Sequence, residues 1–226
     1  KYPADSANRL HRRVRRHLDV PHTFLCLTDD PRGLDEGILA APLEQPDLGG
    51  TWNKLRFFDP ALLPPGCPAL YLDLDIVITG PLAPVLDAAP GASFVGQPDW
   101  NRPWFPQFNG SIILFRAGAH AKILQDFLEG TASGRLVRRE EWDGTTRGYD
   151  KTVYWRGWRR FGSDQEWISW HLRRGPGRPA AFPRGLIVSY KAHARRGLPP
   201  GASVVVFHGS PKPHEVDHDY VREHWR

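Results

Sequence analysis

The chain reads as an α/β protein, with a mostly parallel, mixed sheet flanked by helices in a single domain. Three observations predict this. Apolar runs of strand length alternate along the chain with stretches of helical periodicity. The 226 residues are 40% hydrophobic and include nine Trp and eleven Phe, ample for one core. The 22 Pro and 22 Gly require many turns, which suits a loop-rich α/β chain better than a helical bundle.

The elements follow in order. Ala7, Leu10, Val14 and Leu18 fall on one face at helical spacing, so residues 6–18 form a helix that Pro21 ends. Residues 23–28 are a short strand, and Asp29-Asp30-Pro31-Arg32-Gly33 a turn. A Pro/Gly-rich loop runs to Gly50, and residues 52–58 form a short helix. Pro64-Pro65-Gly66 turns into an apolar strand at 69–78, interrupted by Asp73 and Asp75. A short helix starts at Gly80-Pro81, and strands follow at 92–96 and 109–115. Residues 119–128 are helical, with Ile123, Leu124, Phe127 and Leu128 apolar. Residues 130–160 have weak periodicity and many charges, the pattern of an insert or lid. Ser163 and Glu166 have capping-box spacing and open a helix bearing Trp167, Ile168 and Leu172. Strands at 186–190 and 203–207 precede a polar tail that closes as a short helix.

Charge and special residues narrow the setting. The formal charge is +5, with arginines clustered at Arg9, Arg12, Arg13, Arg15 and Arg16, at Arg135, Arg138 and Arg139, and at Arg156, Arg159 and Arg160. Such clusters attract phosphates, including nucleotide sugars and anionic headgroups, or form solvated helix faces. No recognised nucleic-acid module accompanies them, so no nucleic-acid partner is expected. No run is long enough to span a membrane and no signal-peptide pattern opens the chain. Cys26 and Cys67 lack metal-ligand spacing, and a reducing, cytoplasmic setting is expected, with contact at the inner face of a membrane as an extension. The absence of Met suggests a trimmed product.

The chemistry centres on Tyr71-Leu72-Asp73-Leu74-Asp75. An interior strand ending in two aspartates places carboxylates at the sheet's carboxyl edge, where open α/β sheets bind ligands. Those carboxylates need a cation or donors, and hard oxygen ligands suit Mn²⁺ or Mg²⁺ holding a phosphorylated substrate. Their Cα atoms would lie about 7 Å apart in extended backbone, so a turn is needed for both to flank one ion. The alternative is a pair of aspartates that merely caps a turn.

His208 ends a strand and precedes Gly209 and Lys212, a glycine that admits close approach and a lysine offered to a diphosphate. Asp164-Gln165 opens a helix as a pair able to bind sugar hydroxyls or simply to satisfy helix-terminal N–H groups. Lys54 is a candidate phosphate or sugar contact, with a solvated surface lysine as its alternative. Trp100, Asn101, Trp104 and Phe105 form an aromatic-polar stretch before Asn109, suited to sugar stacking or to ordinary loop packing.

Taken in order, Tyr71 to Asp75, Phe108-Asn109-Gly110-Ser111, Asp164-Gln165 and His208-Gly209-Ser210-Pro211-Lys212-Pro213 resemble the metal-dependent nucleotide-sugar glycosyltransferases of the A-type, Rossmann-like fold. The likeness is to the retaining family of glycogenin and the bacterial lipopolysaccharide galactosyl- and glucosyltransferases, and runs from about Phe24 onward. It implies Asp73, Asp75 and His208 as ligands of Mn²⁺ (or Mg²⁺). It implies Lys54, Tyr71, Asp73, Gly209 and Lys212 as donor contacts and Asp164 and Gln165 as the catalytic pair. Trp104 and Asn109 would face the acceptor. The expected partners are a nucleoside-diphosphate sugar, UDP-sugars first, and a glycan or lipid-linked glycan. In the family His and Lys are spaced more widely than His208 and Lys212, and its first strand has no counterpart before Lys1. Two other readings stand beside it: a haloacid-dehalogenase-type phosphatase with Asp73 as nucleophile, and a non-catalytic nucleotide-sugar-binding module.

Overall fold

The computed structural model describes residues 2–43, 48, 50–101, 107–141, 150–156, 159–175 and 178–225. Helix α1 (Ala4–His17) leads into a parallel pair, β1 (Phe24–Thr28) and β2 (Ile38–Pro42). The sequence reading placed a loop where β2 lies. Its run Ile38-Leu39-Ala40-Ala41 is short, ends in Pro42 and leaves Leu39 57% exposed, so no alternation marks it as a strand.

A 3₁₀ helix (Gly50–Phe58) follows and buries Trp52, Leu55 and Phe58. Then come β3 (Pro68–Leu72), β4 (Ile76–Ile78), α2 (Ala83–Leu86), β5 (Phe94–Pro98) and β6 (Phe108–Arg116). Helix α3 (Lys122–Ala132) precedes an antiparallel meander of β7 (Leu136–Glu141), β8 (Asp150–Trp155) and β9 (Arg159–Phe161). This meander occupies the region anticipated as an insert or lid. Leu136, Val153 and Phe161 are buried in one cluster with α3 and with α4 (Asp164–Leu172), so the described part of the region is anchored in the core. The end of the chain supplies β10 (Ala180–Ala181), β11 (Ile187–Ser189), a π-helical turn (Tyr190–Ala194), β12 (Val204–Val206) and α5 (Asp219–His224).

The four-stranded sheet has the order β10-β5-β6-β3, in which β10, β5 and β3 run one way and β6 opposes them. A second sheet joins β11, β12 and β4. Strand parity distributes their side chains among three buried clusters. On β6, Ile113 and Phe115 face α3, α4 and the 3₁₀ helix, while Ile112 and Leu114 face α1 and β4. On β4, Ile76 and Ile78 join that second cluster, and Val77 turns to a third with Val205, Phe207 and Tyr220. Burial on both faces explains the unbroken apolar runs.

Helix α1 departs from a simple basic surface. Arg9 pairs with Asp5 and Arg12 with Asp35, each at 2.6 Å. Arg13 is fully buried: its Nη1 donates to the Ile76 carbonyl, its Nε to the Arg9 carbonyl at 3.1 Å, and its guanidinium lies 4.1 Å from the Trp225 ring centre. Burial, reinforced by Arg9, Arg16 and Arg12, lowers its pKa to about 9. The first arginine cluster is therefore not a uniform solvated or phosphate-binding face.

On α4, His171 sits between Trp167 and Trp170, with ring centres 4.6 and 4.8 Å away. Burial lowers its pKa from 6.5 to about 4; Asp126 pulls it up, and Lys122 and Arg174 push it down. The native state thus holds the ring neutral where the unfolded chain would protonate it. This contribution to stability is whole above pH 6.5 and is lost as pH falls towards 4, at up to about 1.4 kcal/mol per pH unit. Denaturant midpoints at pH 7.5, 5.5 and 4.5 should show a steeper acid decline in the parent than in His171→Leu. Equal slopes would remove His171 as a source of acid sensitivity.

Candidate active site

The strand β3 stops at Leu72, and the chain turns through Leu74 and Asp75 before β4. One further bond, from the Asp73 N–H to the Ser111 carbonyl at 2.9 Å, holds Asp73 against β6. The turn divides the carboxylates between two lysines. Tyr71, two residues before Asp73 and so on the same strand face, donates its hydroxyl to Asp73 Oδ1. Lys54, from the 3₁₀ helix, stands 3.6 Å from that oxygen. Lys212 instead binds Asp75.

Lys54 is the hub of the inner half. Its Nζ lies 2.9 Å from Asp164 Oδ2, donates to the Gly110 carbonyl at 2.8 Å, and has only 10% of its side chain exposed, against 6% for Asp164. Burial by itself would lower the lysine pKa, but Asp164, Asp73 and Tyr71 outweigh it and hold the ammonium well above its ordinary range. Tyr71 is likewise raised, by burial first and then by the Asp73 charge. The lysine is therefore no solvated surface residue; it stands between two carboxylates, Asp73 and Asp164.

Asp164 and Gln165 occupy the first turn of α4, which Ser163 caps through the Glu166 N–H at 3.4 Å. The returning half of the capping box is displaced, because the Glu166 carboxylate accepts from Gly162 rather than from Ser163. Neither Asp164 nor Gln165 is consumed by capping. Gln165 Oε1 accepts from the Gly110 N–H at 3.2 Å, and its Nε2 reaches Asp99 Oδ2 at 3.5 Å. Gly110 is packed so closely that a β-carbon there would lie 2.9 Å from Lys54 Nζ and 3.4 Å from Asp164 Oδ2. Only glycine lets β6 pass beneath this pair without pushing the lysine aside.

A cavity of about 340 Å³ opens beside Gln165, lined by Asp99, Asn101, Gln107, Arg160 and Glu166 among others. Asp99 is 4% exposed and is held by Gln107 Nε2 at 3.2 Å and by the Asn101 N–H at 2.9 Å. The sequence gives Arg160 only as one of a basic cluster and does not single out Asp99 or Gln107. The available signal for Asp99 was a carboxylate just beyond the apolar run Phe94-Val95-Gly96, like Asp73 beyond β3. Asn109, expected to face an acceptor, is buried, and its Oδ1 accepts from the Ser111 N–H at 2.9 Å. Trp104 lies outside the described residues.

On the outer side, His208 follows β12. Its Nε2 is 2.7 Å from Ser189 Oγ, and its ring stacks on Trp100 with centres 5.8 Å apart and planes at 18°. Burial and the charges of Lys191 and Lys212 lower its pKa, while Asp99 raises it, so the imidazole is neutral at pH 7. Asp73 and Asp75 are the hard oxygen donors that Mn²⁺ or Mg²⁺ would take, and the neutral imidazole is of ligating type. Among the described residues, however, no three His, Cys, Asp or Glu side chains converge as a ready metal cluster. The expected triad of Asp73, Asp75 and His208 is not assembled here, because lysines hold the carboxylates and Ser189 and Trp100 hold the ring.

The fold, rather than the site, has precedents among solved structures. The glycosyltransferase GlyE of Streptococcus pneumoniae TIGR4 superposes with a TM-score of 0.59 over 94% of this chain and 54% of its own, at 13% identity. The chain has the A-type glycosyltransferase fold. An active-site mutant of LgtC matches at TM-score 0.58 and 15% identity, covering 93% of this chain and 85% of LgtC. The galactosyltransferase LgtC with donor and acceptor sugar analogues matches at TM-score 0.56 and 14% identity, with the same coverage. The chain thus spans about half of GlyE and most of LgtC, and at these identities the likeness is one of fold. No protein-family model and no curated protein sequence matches the chain. Among the described residues no helix is long and apolar enough to cross a membrane.

Proposed function

We propose that the chain transfers a hexose from a nucleoside-diphosphate sugar to a hydroxyl acceptor on a glycan or lipid-linked glycan. The carrying observation is the corner at Asp73 and Asp75, two carboxylates at the end of β3 flanked by Lys54 and Lys212, within an A-type glycosyltransferase fold. Structures of the LgtC galactosyltransferase were obtained with donor and acceptor sugar analogues, which supports a sugar donor and a sugar acceptor here.

In this reading Asp73 and Asp75, with His208 as the candidate third ligand, would hold Mn²⁺ or Mg²⁺ once the ion displaces Lys212 from Asp75. The ion would supply Lewis-acid stabilisation of the leaving diphosphate. Gly209 permits close approach of the diphosphate, and Lys212 adds positive charge to it. Lys54 positions Asp164 beside the β6 backbone, where a carboxylate stabilises positive charge developing at the anomeric carbon. Gln165, fixed between Gly110 and Asp99, orients sugar hydroxyls, and the adjoining cavity takes the acceptor. Configuration is retained, by departure and attack on the same face. The fold lends no support to the phosphatase alternative.

The test is a panel of UDP-, GDP- and ADP-sugars incubated with Mn²⁺ or Mg²⁺ and a range of glycoside acceptors, read by mass spectrometry. Release of nucleoside diphosphate with formation of glycosylated product is expected. Binding without turnover of any donor would favour a non-catalytic module. Hydrolysis of p-nitrophenyl phosphate without sugar transfer would restore the phosphatase.

A further inference from the structure

Gly209 has φ +71°, in the left-handed region, and a β-carbon built there would lie 3.2 Å from Lys191 Nζ. Lys191 is the second residue of the π-helical turn Tyr190–Ala194, which begins directly after β11. Turns of this kind carry an extra residue and re-aim side chains, often at functional sites. Ser189, which caps the turn through the Ala192 N–H at 3.3 Å, also holds His208. The lysine, the imidazole and the glycine are therefore fixed to one another by the same short segment.

The two lysines differ in what they face. Lys212 is bound to the Asp75 carboxylate, whereas Lys191 has no carboxylate partner among the described residues. An exposed ammonium beside a glycine without a β-carbon leaves backbone and charge open to a polyanion from the same side.

We propose that Lys191 is a diphosphate-binding residue that works with Gly209, adding its positive charge to that of Lys212. The proposal rests on the donor reading above only for the identity of the diphosphate; the anion site itself is tested separately. A group that holds the leaving diphosphate raises donor affinity and also favours its departure.

The experiment is isothermal titration of the purified chain with inorganic pyrophosphate, UDP and uridine, at fixed Mn²⁺, for the parent, Lys191→Gln and Lys191→Arg. Lys191 is exposed, so neither substitution is expected to disturb folding; thermal melts verify this. The parent should bind pyrophosphate, Lys191→Gln should weaken both pyrophosphate and UDP by about tenfold or more, and Lys191→Arg should recover most of that loss. Uridine affinity should not move. Unchanged pyrophosphate affinity in Lys191→Gln, equal losses for uridine and UDP, or no pyrophosphate binding by the parent would each overturn the proposal. Sugar transfer with a Lys191-independent diphosphate site would sink this inference and leave the donor reading standing. A Lys191-dependent pyrophosphate site in a chain that turns over no sugar nucleotide would do the reverse.

Discussion

Replacing Lys54 with methionine should destabilise the chain by about 3–5 kcal/mol, the cost of leaving a buried charge without its partner. The stranded group is Asp164, 6% exposed and paired to Lys54 at 2.9 Å. Methionine matches much of the stem's volume, so the loss would be electrostatic rather than a cavity effect. A second substitution separates the two. Lys54→Met with Asp164→Asn removes both charges and should recover part of the stability, because the asparagine needs no counter-charge. Activity should not return in the double variant, since the reaction proposed above needs a carboxylate there. Guanidinium unfolding of the parent, Lys54→Met, Asp164→Asn and the double variant measures the first effect and donor turnover the second. A double variant no more stable than Lys54→Met alone would show that Lys54 contributes packing, not charge compensation.

The second large effect falls on Asp75. Asp75→Ala should lower Mn²⁺-supported release of nucleoside diphosphate by about 10²-fold or more, the range seen when a principal electrostatic group at a reacting centre is removed. Stability should change little by comparison. The Lys212–Asp75 pair is partly exposed, with the lysine side chain 31% accessible, and such pairs contribute of the order of 1 kcal/mol or less. Mn²⁺ affinity, read by electron paramagnetic resonance, should fall in parallel with turnover. Turnover at the parent's level in Asp75→Ala would remove the metal site from the mechanism. This contrast with Lys54 is a direct consequence of where the two lysines sit: one inside the fold, one at its rim.

Much of the frame was legible because the strongest signals are local. The apolar faces of α1 and α3, the cap at Ser163, and the runs that became β3, β5, β6, β11 and β12 all follow from side-chain period and turn chemistry. The pair Asp73 and Asp75 was visible as carboxylates at the end of an interior run. What sequence could not convey was partnership across distance. Lys54 lies 110 positions before Asp164, and nothing local distinguishes it from a solvated lysine. Lys191 belongs to a five-residue π-turn, a conformation with no sequence period of its own. Strand β2 was hidden because its pairing with β1 is parallel and its faces are half exposed, so neither alternation nor a hairpin turn marks it. Reading the arginines of α1 as one basic face failed for a related reason. Composition counts charges, but Arg13 points inward to a carbonyl and an indole.

That inward arginine ties distant parts of the chain to one another. Its guanidinium spans from the carbonyl of Ile76, the residue next to Asp75, to the indole of Trp225, while the rings of His17 and His224 meet 5.6 Å apart. The first and last helices therefore close like a clasp behind the acidic corner. Loosening either helix, by trimming α5 or by an adduct that unseats Trp225, would reach the peptide beside Asp75 without touching any residue proposed to meet the donor.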